Sequence, residues 1–346
     1  MRHRRGKRVS LITFAAVLAL VLAACGSGRG DDDDTASGSS TTTGEGGSGS
    51  FDIDTANCLT DPSSVAITGD TIKFGTSLPQ SGTYAAFSSI LKGEQAYFAY
   101  LNTEKGGVEI AGKKYKIELV PKDDAYAAES TFSNVQSLVD DDKVFGLFNV
   151  VGTKNNLAIR DYVNENCIPN LLAATGSPAW GNHAYPWLLG TFLVPYPLET
   201  QAFVQYLQDN KPDATIAILR ADDDFGAAYS DTLKQLIKGT DLTIAGEQTY
   251  DPDTGEVGTQ VTSLAATNAD AFVLGATLLA CPTALTDVAS SGWKPITYMS
   301  GTCTSKTLMS IAGPAGDGVL SVSPLMDPND PAYVDNAQMK LSLIHI

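Results

Sequence analysis

From Thr71 onward, short apolar runs alternate with segments whose apolar positions recur three and four residues apart, the patterns of buried strands and amphipathic helices. Residues 71–77 (TIKFGTS) predict a strand, the turn 78–82 follows, and Ile90, Leu91, Tyr97, Phe98 and Leu101 mark one face of a helix. Residues 115–120 predict the next strand, Phe132, Val135, Leu138 and Val139 a second helix, 144–148 a strand, 155–165 a helix and 168–173 a strand. After 186–191 a second series begins: helix 198–209, strand 215–219, helix 227–237, strand 242–250, helix 258–266, strand 271–275, helix 285–291, strand 296–300 and helix 306–311. Such alternation predicts parallel sheets covered by helices on both faces. Each series holds its own strands, so the expected fold is α/β with two doubly wound lobes, 58–190 and 191–320, joined by a hinge. Ligands of such sheets lie beyond the carboxyl ends of the strands, which singles out the loops 78–82, 149–153, 173–177, 222–226, 275–278 and 301–304.

Ahead of this alternation the pattern is different. Arg2, Arg4, Arg5, Lys7 and Arg8 precede an apolar run, 9–24, that closes on small residues. This reads as a secretory signal peptide, 1–24, too short for a comfortable membrane span. The run ends in Leu22-Ala23-Ala24-Cys25-Gly26, which resembles the bacterial lipobox, so Cys25 is the expected lipidation site. Two acyl chains hold a protein at a membrane without a spanning helix. The other reading is an ordinary cleaved signal with an incidental cysteine. Residues 25–57, rich in Gly, Ser, Thr and acid, read as a flexible tether. The run Asp31-Asp32-Asp33-Asp34 lacks the spaced ligands of a calcium loop.

Of 346 residues 43% are hydrophobic and 18% charged, which excludes global disorder. The net charge is −16, and without the five cations of the signal 18 positive side chains face 39 negative ones. Such a field repels nucleic acid and anionic lipid, and both are excluded as binding partners. Cys58, Cys167, Cys281 and Cys303 form an even set in an exported chain, where disulfides are the expectation. Of the three pairings, the two-lobed reading favours Cys58–Cys167 and Cys281–Cys303, each joining segments of one lobe. His183 is the one histidine outside the terminal segments, and there is no HExxH, GxSxG, GxGxxG or CxxC. Residues 107–113 (GVEIAGK) imitate a phosphate loop, but Lys114 takes the Ser/Thr place and a strand follows, so they read as a hairpin turn. No catalytic set, metal site or cofactor is expected, and the chain is not read as an enzyme.

Several segments resemble the type I periplasmic-binding proteins similar to the Leu/Ile/Val-binding proteins of ABC importers, over about residues 70–325. They are 72–82 (IKFGTSLPQSG), 92–96 (KGEQA), 102–124 (NTEKGGVEIAGKKYKIELVPKDD), 144–146 (VFG), 168–175 (IPNLLAAT), 214–226 (ATIAILRADDDFG) and 313–321 (GPAGDGVLS). The resemblance implies a monomeric binding protein that closes two lobes on a small molecule and delivers it to permease and ATPase subunits. First-lobe contacts then fall on Ser81, Phe87, Val151, Gly152, Thr153 and the loop Ala173-Ala174-Thr175, and second-lobe contacts on Phe225, Thr277 and Thr302. Each has a structural alternative: Thr175-Gly176-Ser177-Pro178 also reads as a helix cap, Phe87 and Phe225 as core aromatics, and Asp222-Asp223-Asp224 as a solvated turn.

The family's acid for a ligand ammonium is expected near Gly301-Thr302-Cys303, where none occurs. The expected ligand is therefore a solute of the amino acid, amide, urea or organic acid class other than a simple branched-chain amino acid. Thr175 and Ser81 are expected to hold its oxygens, and Phe87 and Phe225 to cover its apolar part. Residues 321–346 read as a second crossover and the start of a return to the first lobe, truncated. The resulting reading is a lipid-anchored solute-binding protein on the extracytoplasmic face of a bacterial membrane. An extracellular sensor with the same fold and a signalling partner is the alternative.

Overall fold

The computed structural model describes residues 55–60, 67, 69–190, 193–326, 330–337 and 339–340. The signal 1–24, Cys25, the tether up to residue 54 and the apolar end 341–346 lie outside the described residues.

The first series folds as β1 (Thr71–Leu78), α1 (Ser88–Thr103), β2 (Val108–Ile110), β3 (Lys113–Asp123), α2 (Ala128–Asp140), β4 (Gly146–Phe148), α3 (Thr153–Glu165), β5 (Asn170–Ala173) and β6 (Leu188–Gly190). Its strands form one sheet in the order β2-β3-β1-β4-β5-β6. All pairs are parallel except the β2–β3 hairpin, whose register Val108↔Tyr115 places 107–113 at a turn, as the sequence indicates. Alternate β1 side chains meet helices on opposite faces. Phe74 packs on Phe148, which packs on Phe98 of α1, while a Cβ at Gly75 would lie 2.9 Å from Leu138 of α2.

The second series folds as α4 (Tyr196–Asn210), β7 (Thr215–Ala221), α5 (Asp224–Leu236), β8 (Thr243–Tyr250), α6 (Gly258–Ala265), β9 (Ala271–Gly275), α7 (Ala280–Ser291), β10 (Ile296–Met299) and α8 (Lys306–Ala312). Its strands form a separate parallel sheet, β10-β9-β7-β8. The fold is thus α/β with two doubly wound parallel-sheet lobes. A core of Phe203, Ile216, Ile218, Tyr229, Phe272, Leu274 and their neighbours fills the second lobe, and one of Val135, Leu138, Leu147, Ile159 and Val163 fills the first.

Helices α3 and α4 begin two residues earlier than their periodicity indicates, and α5 and α7 three and five residues earlier, the last two for local reasons. The Asp223 carboxylate accepts the Gly226 N–H at 3.0 Å and caps α5, which starts at Asp224 instead of 227. Helix α7 starts at Ala280 instead of 285 and carries Pro282 in its first turn, where a missing N–H costs no intrahelical bond. Cys58–Cys167 fastens the segment before β1 to the end of α3, beside the 2.8 Å bond from Leu59 N–H to the Glu165 carbonyl. Cys281–Cys303 joins the start of α7 to the loop after β10. Both pairings are those favoured by the two-lobed reading. Beyond α8 the chain pairs Leu320 with Tyr298 and turns back toward the first lobe at 322–326.

Candidate ligand-binding site

The carboxyl ends of both sheets border one cavity of about 210 Å³. Four segments of the first lobe supply its walls. Phe87 and Ile90 come from the start of α1, Tyr126 from the loop after β3, Asn149, Val151 and Gly152 from the loop after β4, and Ala174 from the loop after β5. The second lobe adds Tyr196 at the start of α4, Phe225 in the first turn of α5, Thr277 after β9 and Thr302 after β10, while Leu193 and Leu325 belong to the two chain crossings.

Local backbone geometry sets these positions. Gly152 has φ 105°, and a Cβ there would lie 2.6 Å from the Tyr126 ring, so glycine lets α3 begin against that ring. Tyr126 stacks on Tyr84 at 4.0 Å between centroids, and Tyr196 meets Phe225 edge-on at 5.0 Å. The first lobe thus presents Phe87 and Tyr126 at the cavity, with Tyr84 stacked on Tyr126, and the second lobe presents the Tyr196–Phe225 pair.

Contacts pass directly between the lobes. The Tyr84 hydroxyl donates to the Pro252 carbonyl at 3.1 Å and Thr83 to the Asp253 carbonyl at 3.2 Å, and Lys154 pairs with the Asp253 carboxylate at 3.4 Å. Leu278 of the second lobe is buried with Leu78, Tyr84 and Leu91 of the first. Burial pushes the Tyr84 phenol up to about 12, so it stays a protonated donor at neutral pH.

Of the residues singled out from sequence, Phe87, Val151, Gly152, Phe225, Thr277 and Thr302 line the cavity. Ser81 does not: it is exposed, and its N–H donates to Asp123 at 3.3 Å. Thr153 and Thr175 are buried with their hydroxyls bonded to each other at 2.7 Å, and Thr175 also accepts the Ser177 N–H at 3.1 Å. Ala173 is enclosed in β5. Ser177 caps a short 3-10 turn, Pro178–Gly181, as the cap reading of that stretch has it. Ala174, expected as a contact with its loop Ala173-Ala174-Thr175, lines the cavity too, whereas Ile90, Tyr126, Asn149, Leu193, Tyr196 and Leu325 were not named from sequence as contacts. Asn149 lies in the strand-end loop 149–153 and Ala174 in 173–177, so the strand-end rule reaches both. Tyr126 follows the end of β3 and was within reach of the same rule.

No lining residue is charged. The charges nearby are engaged elsewhere. Glu199 of α4 lies against the loop where sequence shows no acid: its carboxylate accepts from Tyr229 at 2.8 Å, Tyr298 at 2.6 Å and the Gly301 N–H at 3.1 Å. Burial raises its pKa, and the three donors oppose that rise. Asp124 is buried and raised in the same way, and it accepts from Ser77, Thr131 and the Tyr126 N–H. Lys154 lies 5.0 Å from the centre of the Tyr126 ring. Glu94 on α1 is the exception: burial lifts its carboxyl to about 7, the neighbouring Asn149 opposes that only in part, and neither oxygen has a hydrogen bond of good geometry.

Two α/β lobes with a cavity at their facing strand ends define a protein that holds a small molecule between its halves. Residues 71–340 match the periplasmic binding protein family, and the chain belongs to that family. Its structure is similar to a substrate-binding periplasmic protein from Ralstonia solanacearum, at 25% identity over 79% of this chain and 75% of that one, with a TM-score of 0.71. It is also similar to a branched-chain amino acid ABC transporter protein from Thermus thermophilus with bound valine, at 17% identity, 72% and 64% coverage and a TM-score of 0.64. A third is the solute binding protein of an ABC transporter from Rhodopseudomonas palustris in complex with 3,4-dihydroxy benzoic acid, at 20% identity, 80% and 73% coverage and a TM-score of 0.66. The family is one of extracytoplasmic proteins that bind small molecules. Among the described residues no helix is long and apolar enough to cross a membrane.

Proposed function

We propose that this chain is the solute-binding lipoprotein of an ABC importer, anchored through Cys25 to the extracytoplasmic face of the cell membrane. It takes a small solute of the amino acid, amide, urea or organic acid class between its lobes. The observation that carries this reading is the cavity itself, walled by both sheets' strand ends and bridged by Tyr84–Pro252 and Thr83–Asp253. A solute touching both walls adds its contacts only to the shut form, so binding shifts the hinge equilibrium toward the state a permease can recognise. Phe87, Val151, Gly152, Phe225, Thr277 and Thr302 form the proposed contact set, with Thr153, Ala173 and Thr175 supporting the wall from behind. Residues 25–57, rich in Gly, Ser, Thr and acid, would be the tether between that anchor and the lobes. A thermal-shift screen of the full chain against these solute classes tests the reading, because a ligand of the folded state raises its melting temperature. A positive shift from one class supports it, and no shift from any class contradicts it.

A further inference from the structure

The cavity between the strand ends continues into a second space. Phe87, Ile90, Thr302 and Leu325 border both the cavity of about 210 Å³ and a groove of about 1010 Å³ between the start of α1 and helix α8. The cavity offers a solute little besides apolar surface. No charged residue lines it, Thr302 donates to the Ala276 carbonyl at 3.2 Å, and the Thr277 hydroxyl reaches the Tyr84 hydroxyl at 3.5 Å. The groove differs in one respect. Lys306, the first residue of α8, borders it and is the one charged side chain among the described residues that line either space. It is exposed, and no ion pair among the described residues involves it. Beside it Met309, Leu325 and Met326 carry the apolar wall out toward water, Leu325 at 61% and Met326 at 43% exposure.

Resting on the solute-binding reading above, we infer that the solute is an organic acid with an apolar body, seated with the body in the cavity and the carboxylate in the groove at Lys306. A carboxylate inside the cavity would lose its hydration and gain no partner. In the groove it keeps water and meets a cation. An ammonium finds no acid in either lining, and an α-amino acid would bring its ammonium to Lys306 together with its carboxylate. An apolar cavity of about 150 Å³ accepts benzene, so about 210 Å³ takes a ring or a short chain of slightly greater size. A short acid can fill the cavity or reach Lys306, and only a longer one does both. Each methylene buried on the way raises affinity about three- to fourfold.

Calorimetry on the full chain with butyrate, octanoate, octanamide, octylammonium and leucine tests this. Octanoate is expected to bind tightest, about tenfold or more ahead of butyrate, octylammonium and leucine. Lys306→Gln is expected to weaken octanoate about threefold or more and to leave octanamide unchanged, and Lys306→Glu to reverse the order of octanoate and octylammonium. Both changes are at an exposed position and are expected to keep the wild-type melting temperature. Leucine or butyrate binding tighter than octanoate overturns this inference and leaves the solute-binding reading standing. Octanoate affinity unchanged in Lys306→Gln, or an equal loss for octanamide, also overturns it and gives the groove to another occupant, a segment of this chain or a partner protein. Binding by none of these probes overturns it too, and the wider solute screen then shows separately whether the solute-binding reading falls.

Discussion

Replacing Glu94 by Gln removes one ionisable group from a buried site at nearly constant volume. Its carboxyl is lifted to about 7 by burial, well above its ordinary value near 4.5, so the folded chain holds a proton that the unfolded chain releases between those limits. Because the folded pKa is raised, the stability that Glu94 contributes is fully present below about pH 4.5 and is lost as pH rises toward 7. A shift of that size corresponds to about 3 kcal/mol once both limits are passed, of which about 1 kcal/mol is already lost at about pH 5. Glutamine has no such dependence, and every other titrating group cancels in the comparison. Urea unfolding of both proteins should therefore show Glu94→Gln gaining about 2 kcal/mol relative to wild type between about pH 5 and pH 8. A difference that stays flat with pH, or that falls, would refute the assignment of Glu94 as a buried acid whose carboxyl is raised by burial.

Other outcomes follow from individual contacts. Cys25→Ala should move the protein from the membrane fraction to the soluble envelope fraction, and retention in the membrane would reject the anchor. Replacing Cys58 and Cys167 together by Ser removes a cross-link across 109 residues and should cost about 2 to 5 kcal/mol in chemical unfolding. A smaller loss would mean that the segment before β1 is not fastened to α3 in solution. Tyr84→Phe deletes the interlobe bond to Pro252, worth about 1 kcal/mol, and should weaken solute binding about fivefold in calorimetry with little change in melting temperature. Unchanged affinity would show that this bond does not favour the shut form.

Strands buried on both faces, such as 271–275, read as continuous apolar runs and stand in the structure at the same bounds. Helices whose starts depend on a cap or a proline were less legible, as α5 and α7 show, because Asp223 and Pro282 act through the backbone and carry no hydrophobic period. At the site, the loops following strands were legible from the order of elements alone. Which residue of a loop borders the cavity was not: Thr153 and Thr175 bond to each other, while Asn149, with positive φ, is among the lining residues. Glu199 shows the same limit from the other side, since its approach to Gly301 depends on packing between α4 and the loop after β10, elements about a hundred residues apart. A Cβ built on Gly301 would lie 2.5 Å from the Val322 carbonyl and 3.1 Å from the Glu199 carboxylate, so the reason for that glycine is invisible until the chain after α8 and α4 are both in place.

The claim that the solute occupies the space between the two lobes is tested most directly by filling that space. Ala174 borders the cavity from the loop after β5, and Ala174→Trp places an indole in a volume of about 210 Å³. Calorimetry with the best solute from the screen should show no measurable binding to Ala174→Trp, with the melting temperature of the unliganded protein close to that of wild type. Wild-type affinity in the filled variant would contradict the account and place the binding site elsewhere on the chain.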